Sequence, residues 1–137
     1  MQSRMADYLL DTNILILHLR ECPDITALLT QWSETGALCI SMVTRTEILA
    51  GMHPHETART VEFLDSLIGI IVDKAIADQA GRLIYQYTRQ GIRLSFPDAL
   101  IAATALQHNL TLVTTNAKHF PIAELHLHTP GKRSALE

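Results

Sequence analysis

The sequence lacks the features that mark membrane, secreted and zinc-stabilised proteins. No apolar run approaches the roughly 20 residues that a membrane helix needs, and the apolar stretch near the start is too short for a signal peptide. The two cysteines, Cys22 and Cys39, show neither the spacing of zinc ligands nor a disulfide framework. We therefore expect a cytoplasmic protein that does not contact a membrane.

An excess of basic charge is also missing. Eleven lysines and arginines stand against 14 acidic residues, which gives a net charge of −3. The chain as a whole is therefore not a basic nucleic-acid-binding protein. Nucleic acid stays possible as a ligand, because a carboxylate-rich metal site itself contributes several negative charges.

The apolar content is sufficient for one folded domain. Of the 137 residues, 47% are apolar and 18% are charged, so intrinsic disorder is not expected. A chain of this length buries roughly two thirds of its unfolded surface without help from a disulfide or a metal. We find no repeat and no linker, and we expect a single domain over residues 1–129 with a disordered tail over 130–137.

Apolar runs alternate with segments of helical periodicity along the chain. The runs predict five strands, over residues 8–10, 37–40, 68–72, 110–113 and 125–127. Helical spacing predicts helices over 13–21, 23–35, 42–51, 56–66, 74–90 and 98–108, with Ser41 and Asp73 as N-caps. Uniformly apolar strands separated by helices are typical of a parallel sheet covered on both faces. The predicted fold is a three-layer α/β domain.

Four polar side chains fall where such a sheet would gather them. Asp11 directly follows the first strand and Asn116 follows the fourth. Glu47 lies on the helix after the second strand, and Asp98 occupies the first turn of an alanine-rich helix. Ligands of open α/β sheets bind beyond the carboxyl ends of the strands. Asp11 and Asn116 meet there if strands one and four are neighbours, and the other two acids can face the same crevice.

Three carboxylates in one crevice need either raised pKa values or a bound cation. All the candidate ligands are hard oxygens, which selects Mg²⁺ or Mn²⁺ over zinc. Taken singly, Glu47, Asp98 and Asn116 are better explained as solvated caps or turns, whereas Asp11 needs a partner because it follows a buried strand. Only the combination predicts a metal site.

Four sequence segments surround these side chains. They are LLDTN at 9–13, SMVTRTEILAG at 41–51, PDALIAATA at 97–105 and LVTTNAKHF at 112–120. Each is a weak pattern alone. In this order and at these separations they resemble PIN-domain proteins, and within that family the VapC toxins of bacterial toxin–antitoxin pairs. The resemblance extends from Tyr8 to about Phe120.

The resemblance implies an α/β/α PIN fold with a parallel sheet in the order 3-2-1-4-5, which places strands one and four side by side. It also implies a metal-dependent endoribonuclease, with Asp11, Glu47 and Asp98 at the positions of the family's acids. The family's fourth position is often Asp. Here it is Asn116, which we expect, together with Thr115, to hold hydrogen bonds of the crevice or to orient a metal-bound water.

The resemblance implies hydrolysis of an RNA phosphodiester bond to a 5′-phosphate and a 3′-hydroxyl. Asp11 and Asp98 are expected to bind Mg²⁺, or Mn²⁺ in its place, directly or through water. Glu47 is expected to bind the metal or a water in its shell. The RNA substrate is left open among tRNA, rRNA and mRNA.

Cations near the acids are candidates for holding the RNA backbone. Arg45 and Lys118 lie close to the site in sequence and could contact flanking phosphates. Arg82, Arg89 and Arg93 flank the long fifth helix and could extend the basic surface.

The resemblance also implies protein partners. A VapC-like toxin is held by a cognate VapB-type antitoxin, whose C-terminal segment covers the active-site groove and places a basic side chain among the acids. A homodimer is expected for the family. Four apolar side chains of the first helix offer an interface for the antitoxin or a second copy: Ile14, Ile16, Leu17 and Leu19.

Two other interpretations stay open. A haloacid-dehalogenase-like phosphohydrolase also has an Asp after its first strand, but it needs a second Asp where this chain has Asn13. A catalytically silent PIN domain would only bind RNA or a protein, and the presence of all three acids argues against it. The histidine pairs His53/His55 and His126/His128 have spacing that could serve a metal, and they are assigned no role.

Overall fold

The fold is built on one parallel sheet, seen in a computed structural model that describes residues 7–130. The strands over these residues are β1 (Tyr8–Leu10), β2 (Leu38–Ser41), β3 (Ile68–Ile70), β4 (Thr111–Val113) and β5 (His126–His128). They lie in the order β3-β2-β1-β4-β5, and every neighbouring pair is parallel. The predicted sheet order is confirmed, and with it the adjacency of strands one and four.

Helices cover both faces of this sheet, as predicted. Over the described residues they are α1 (Thr12–Leu19), α2 (Pro23–Ser33), α3 (Met42–Gly51), α4 (Thr57–Asp65), α5 (Lys74–Arg89) and α6 (Phe96–His108), with 3₁₀ turns at Pro54–Glu56 and Ala117–His119. No helix within residues 7–130 is both long and apolar enough to cross a bilayer. The predicted tail lies outside the described residues except for Pro130, which is buried.

The two layers of helices form two separate cores because side chains alternate along each strand. Leu9 and Leu112 belong to the core beneath α5 and α6, whereas Leu10 and Val113 belong to the core beneath α1, α2 and α4. Ile14 is fully buried in the second core, so its predicted role as an interface residue is wrong. The other three side chains of the predicted interface, Ile16, Leu17 and Leu19, are partly buried.

Side-chain caps fix where the helices begin. The Ser41 hydroxyl accepts a hydrogen bond from Val43 N at 3.0 Å, and the Asp73 carboxylate accepts one from Ile76 N at 2.9 Å. Both predicted N-caps are confirmed. The sixth helix begins at Phe96, two residues earlier than predicted, because the Ser95 side chain caps it.

Strand β3 departs from the predicted pattern of uniform burial. It ends at Ile70 instead of residue 72, and the side chains of Ile68 and Ile71 are 53% and 67% exposed. The reason is its place at the edge of the sheet, where it pairs with β2 alone. Edge strands have a neighbour on one side only, so apolar content does not guarantee burial there.

Candidate active site

Asp11 lies at the carboxyl ends of the two central strands. Its backbone N–H donates to Val113 O at 2.9 Å, which continues the β1–β4 ladder by one residue. Its side chain caps α1, since Oδ1 accepts from Thr12 N at 2.8 Å. Asp11 is only 6% exposed. A strand end and a helix start therefore hold this carboxylate rigidly at the crevice that the sequence predicted.

Thr114 completes the fixation of Asp11. This fully buried residue directly follows β4, and its hydroxyl donates to Asp11 Oδ2 at 2.8 Å. Its Oγ1 also accepts from Asn116 N at 2.9 Å, so Asn116 is linked to Asp11 through Thr114. The sequence pointed to Thr115 as the threonine that holds hydrogen bonds of the crevice, whereas Thr114 forms them in the structure. The available signal was a threonine immediately after a buried strand that neighbours the strand of Asp11.

Glu47 is tied to the start of α1 by a hydroxyl group. The Thr12 hydroxyl donates to Glu47 Oε1 at 2.6 Å and is also hydrogen-bonded to Thr44 Oγ1 at 3.1 Å. Thr44 is fully buried, whereas the Glu47 side chain is exposed. Thr12 therefore serves two acids: its backbone N–H binds Asp11 and its hydroxyl binds Glu47. Sequence reasoning missed this role as well.

Asp98 occupies the first turn of α6 and is partly buried. Its backbone N–H donates to Ser95 Oγ at 3.2 Å, so Ser95 provides the cap and the Asp98 carboxylate stays available. The alanines Ala99, Ala102 and Ala103 are fully buried, which lets α6 pack closely in the interior as predicted.

The three acids interact electrostatically. Burial raises the pKa of Asp11 above its ordinary value of 3.8, and the charges of Asp98 and Glu47 raise it further. The hydrogen bonds from Thr114 and Thr12 act in the opposite direction. None of the three acids has an ion-pair partner among residues 7–130. Within this described part of the chain, no ion pair compensates their mutual repulsion.

This donor set fits a cation bound partly through water. No three Asp, Glu, His or Cys side chains between residues 7 and 130 converge closely enough to enclose a metal by themselves. Mg²⁺ usually keeps several of its waters and uses only one or two carboxylates. One buried carboxylate, Asp11, with two further acids that raise its pKa and oxygen donors only, matches that behaviour.

Two of the candidate cations and histidines, Arg45 and His128, contact other side chains of the fold. Arg45 forms an ion pair with Asp65 at 2.9 Å, which joins α3 to α4. Lys118 is exposed on the 3₁₀ turn after Asn116. His128 packs its ring edge-on against Trp32, at a centroid distance of 5.3 Å.

Comparison with known proteins decides the family. A family model of the PIN domain matches residues 8–124. This chain belongs to the PIN-domain family. It is 36% identical to ribonuclease VapC19 of Mycobacterium tuberculosis over 115 residues, which cover 83% of this chain and 92% of VapC19. It is 30% identical to the tRNA(fMet)-specific endonuclease VapC of Shigella flexneri over 121 residues, 85% of this chain and 91% of that protein.

Solved structures of PIN-domain toxins agree with this assignment. A toxin–antitoxin complex from Klebsiella pneumoniae superposes with a TM-score of 0.77 at 32% identity, covering 90% of this chain and 97% of that one. VapBC2 from Rickettsia felis, bound to a promoter DNA fragment, superposes with a TM-score of 0.80 at 25% identity. The match covers 90% of this chain and 98% of that one. The resemblance to VapC is confirmed, and the haloacid-dehalogenase interpretation is excluded.

Proposed function

We propose that this PIN-domain chain is the toxin of a type II toxin–antitoxin system and cleaves RNA as an Mg²⁺-dependent endoribonuclease, with Mn²⁺ as a substitute. PIN-domain ribonucleases of the VapC type depend in general on divalent metal ions. The observation that carries the proposal is Asp11: a buried carboxylate of raised pKa, held by two hydrogen bonds beside Asp98 and Glu47.

The hydrogen bonds leave defined acceptor positions free. Each oxygen of an ionised carboxylate has two lone pairs. Asp11 uses one on each oxygen, for Thr12 N and for the Thr114 hydroxyl, and so retains one on each. We propose that Asp11 and Asp98 hold the divalent ion directly or through water. When bound, such an ion lowers the pKa of a water and offsets charge on the phosphoryl oxygens.

Glu47 and Asn116 are proposed to act around this centre. Thr12 fixes Glu47 Oε1, which leaves Oε2 to accept a hydrogen bond from the attacking water. The backbone of Asn116 is fixed by Thr114, so its amide is positioned to bind either a water or a substrate oxygen. We thus propose a role in one crevice for all four residues of the predicted site.

The partners follow from the family. Relatives are solved as VapBC and other toxin–antitoxin complexes. We propose a VapB-type antitoxin and a homodimer for this chain, with tRNA, rRNA or mRNA as the substrate. We also propose that it acts in the cytoplasm, where such RNA is present.

Cleavage of purified cellular RNA tests the proposed activity. Wild-type protein, freed of antitoxin, is compared with Asp98→Asn and with Asp78→Asn, whose acid is exposed on α5 away from the site. We expect discrete products with 5′-phosphates in Mg²⁺, none in EDTA and none with Asp98→Asn, while Asp78→Asn behaves as wild type. Cleavage that persists in EDTA, or equally in Asp98→Asn, would contradict the proposal.

A further inference from the structure

The connection between α5 and α6 borders a surface cavity, open to solvent, that the proposed mechanism does not use. Its volume is about 540 Å³, and its lining includes Ile84, Ile92, Arg93 and Phe96. Gly91 forms its turn with a φ of +80°, a conformation that side chains rarely adopt. The cavity therefore has an apolar wall, one cation and an aromatic ring.

Phe96 is exposed to an unusual degree for its type. At 72% it is the most exposed large apolar side chain in the described part of the chain. Its backbone is nevertheless rigid, because Ser95 caps the helix and Pro97 restricts the φ angle directly after it. An aromatic ring on a fixed backbone, facing solvent, is a preorganised surface for a flat ligand.

One hydrogen bond connects a residue that lines the cavity with a residue of the candidate active site. Ser95 lines the cavity, and its Oγ accepts from Asp98 N at 3.2 Å. Phe96 precedes Asp98 by two positions, so the two side chains lie on different sides of α6, about 3 Å apart along its axis. A base stacked on Phe96 is therefore separated from the Asp98 carboxylate by the start of α6, and it would belong to a nucleotide that flanks the scissile phosphate.

The charges of this region suit an anionic strand. Arg93 is exposed in the lining, and none of the lining residues found within 7–130 is acidic. Single-stranded RNA is bound by stacking its bases on aromatic rings while cations hold its phosphates. An apolar wall, an aromatic ring and an arginine are the three elements that such binding uses.

We infer that Phe96 and the adjoining cavity bind a nucleobase of the RNA substrate next to the scissile phosphate, with Arg93 on the phosphate of that nucleotide. The inference rests on the proposed function, because it takes Asp98 as the cleavage centre. It makes Phe96 a residue that selects single-stranded RNA at this position and has no part in the chemical step.

Fluorescence in a non-cleaving background tests the binding. Phe96→Trp combined with Asp98→Asn introduces an indole at this position, and the native Trp32 is 8% exposed. We expect a short single-stranded RNA to quench the new indole. In the Asp98→Asn background, Phe96→Ala should weaken RNA binding roughly 5- to 150-fold, and Phe96→Tyr should restore it.

The matched control is Tyr85→Ala. Tyr85 is 64% exposed on α5, carries Arg89 over its ring at 5.0 Å, and does not line the cavity. We expect less than a twofold change in RNA affinity. In otherwise wild-type protein, Phe96→Ala should raise KM for RNA and leave kcat within about threefold.

Three outcomes separate this inference from the proposed function. If Phe96→Ala cleaves with an unchanged KM and RNA does not quench the indole, the inference is wrong and the nuclease stands. If the indole is quenched but no variant cleaves RNA, the base site stands and the proposed function fails. If Phe96→Ala weakens binding only by converting a dimer into monomers, measured by light scattering, a second copy covers this face and the inference is overturned.

Discussion

The Thr114 hydroxyl donates a 2.8 Å hydrogen bond to Asp11 Oδ2 across 103 positions of sequence. The bond is buried and joins the ends of the two central strands. It also opposes the effects that raise the pKa of Asp11. Thr114 therefore both links the ends of β1 and β4 and favours the ionised form of Asp11.

Thr114→Val tests both contributions. The substitution keeps the shape but removes the donor, so burial of Asp11 is no longer offset by this bond. We expect a further rise in the pKa of Asp11 and a loss of about 1–3 kcal/mol in the free energy of unfolding. The acidic limb of the kcat/KM profile for RNA should move to higher pH. If the acidic limb does not move, protonation of Asp11 is not what limits kcat/KM at low pH.

The raised pKa of Asp11 predicts how stability depends on pH. Below its ordinary pKa of 3.8 the carboxyl is protonated in both the folded and unfolded states. As pH rises from 3.8 to the higher pKa of the folded state, the unfolded chain loses this proton first, so the free energy of unfolding falls. Asp11→Asn should remove this decrease, as measured by urea unfolding between pH 4 and 7 without divalent metal.

The same Asp11→Asn protein should be at least as stable as wild type at pH 7 and should lose activity roughly 10²- to 10³-fold. Asp78→Asn, which alters an exposed acid, should retain the pH dependence of the wild type. A variant that is both inactive and strongly destabilised at pH 7 would argue that Asp11 is structural.

Thr12→Val isolates the anchoring of Glu47. The hydroxyl bond at 2.6 Å is lost, while the backbone N–H of residue 12 can still donate to Asp11 Oδ1. We expect kcat to fall roughly tenfold, in keeping with loss of one hydrogen bond to a charged group. Thr46→Val is the control, since its hydroxyl bonds only Met42 O on its own helix among the described residues. If both substitutions lower kcat equally, the hydrogen bond from Thr12 to Glu47 has no specific role in the reaction.

Divalent metal should stabilise the folded chain by relieving repulsion among the acids. At a concentration 100 times its Kd, a ligand that binds only the folded state adds about 2.7 kcal/mol to the free energy of unfolding. We expect Mg²⁺ and Mn²⁺ to raise Tm in wild type and Asp78→Asn, and to have little effect on Asp98→Asn. Calorimetry without RNA makes this a test of binding that is independent of activity.

The sequence predicts the framework better than it predicts the contacts within it. Apolar runs located the strands, and local chemistry located the caps Ser41 and Asp73, because both depend on neighbouring residues. The site prediction depended on the combination of Asp11 with Glu47, Asp98 and Asn116, because each of the other three taken singly is better explained as a cap or a turn. The exposure of Ile68 was not predictable from apolar content, since it depends on which strand lies at the sheet edge.

The missed contacts join residues that are distant in sequence. Thr12 reaches Glu47 across 35 positions, and Arg45 meets Asp65 only because α3 and α4 are neighbours. No periodicity indicates which hydroxyl or guanidinium will face which acid. A sequence pattern can therefore list the acids of the crevice, but the groups that orient them become visible only once the helices are packed.

The pairing of β4 with β1 has a consequence for the order in which the crevice forms during synthesis of the chain. Asp11 is synthesised 103 residues before Thr114, which supplies its second hydrogen-bond donor. A nascent chain that does not yet include β4 therefore has an Asp11 carboxylate without this donor. The complete crevice forms only after β4 has been made and has paired with β1.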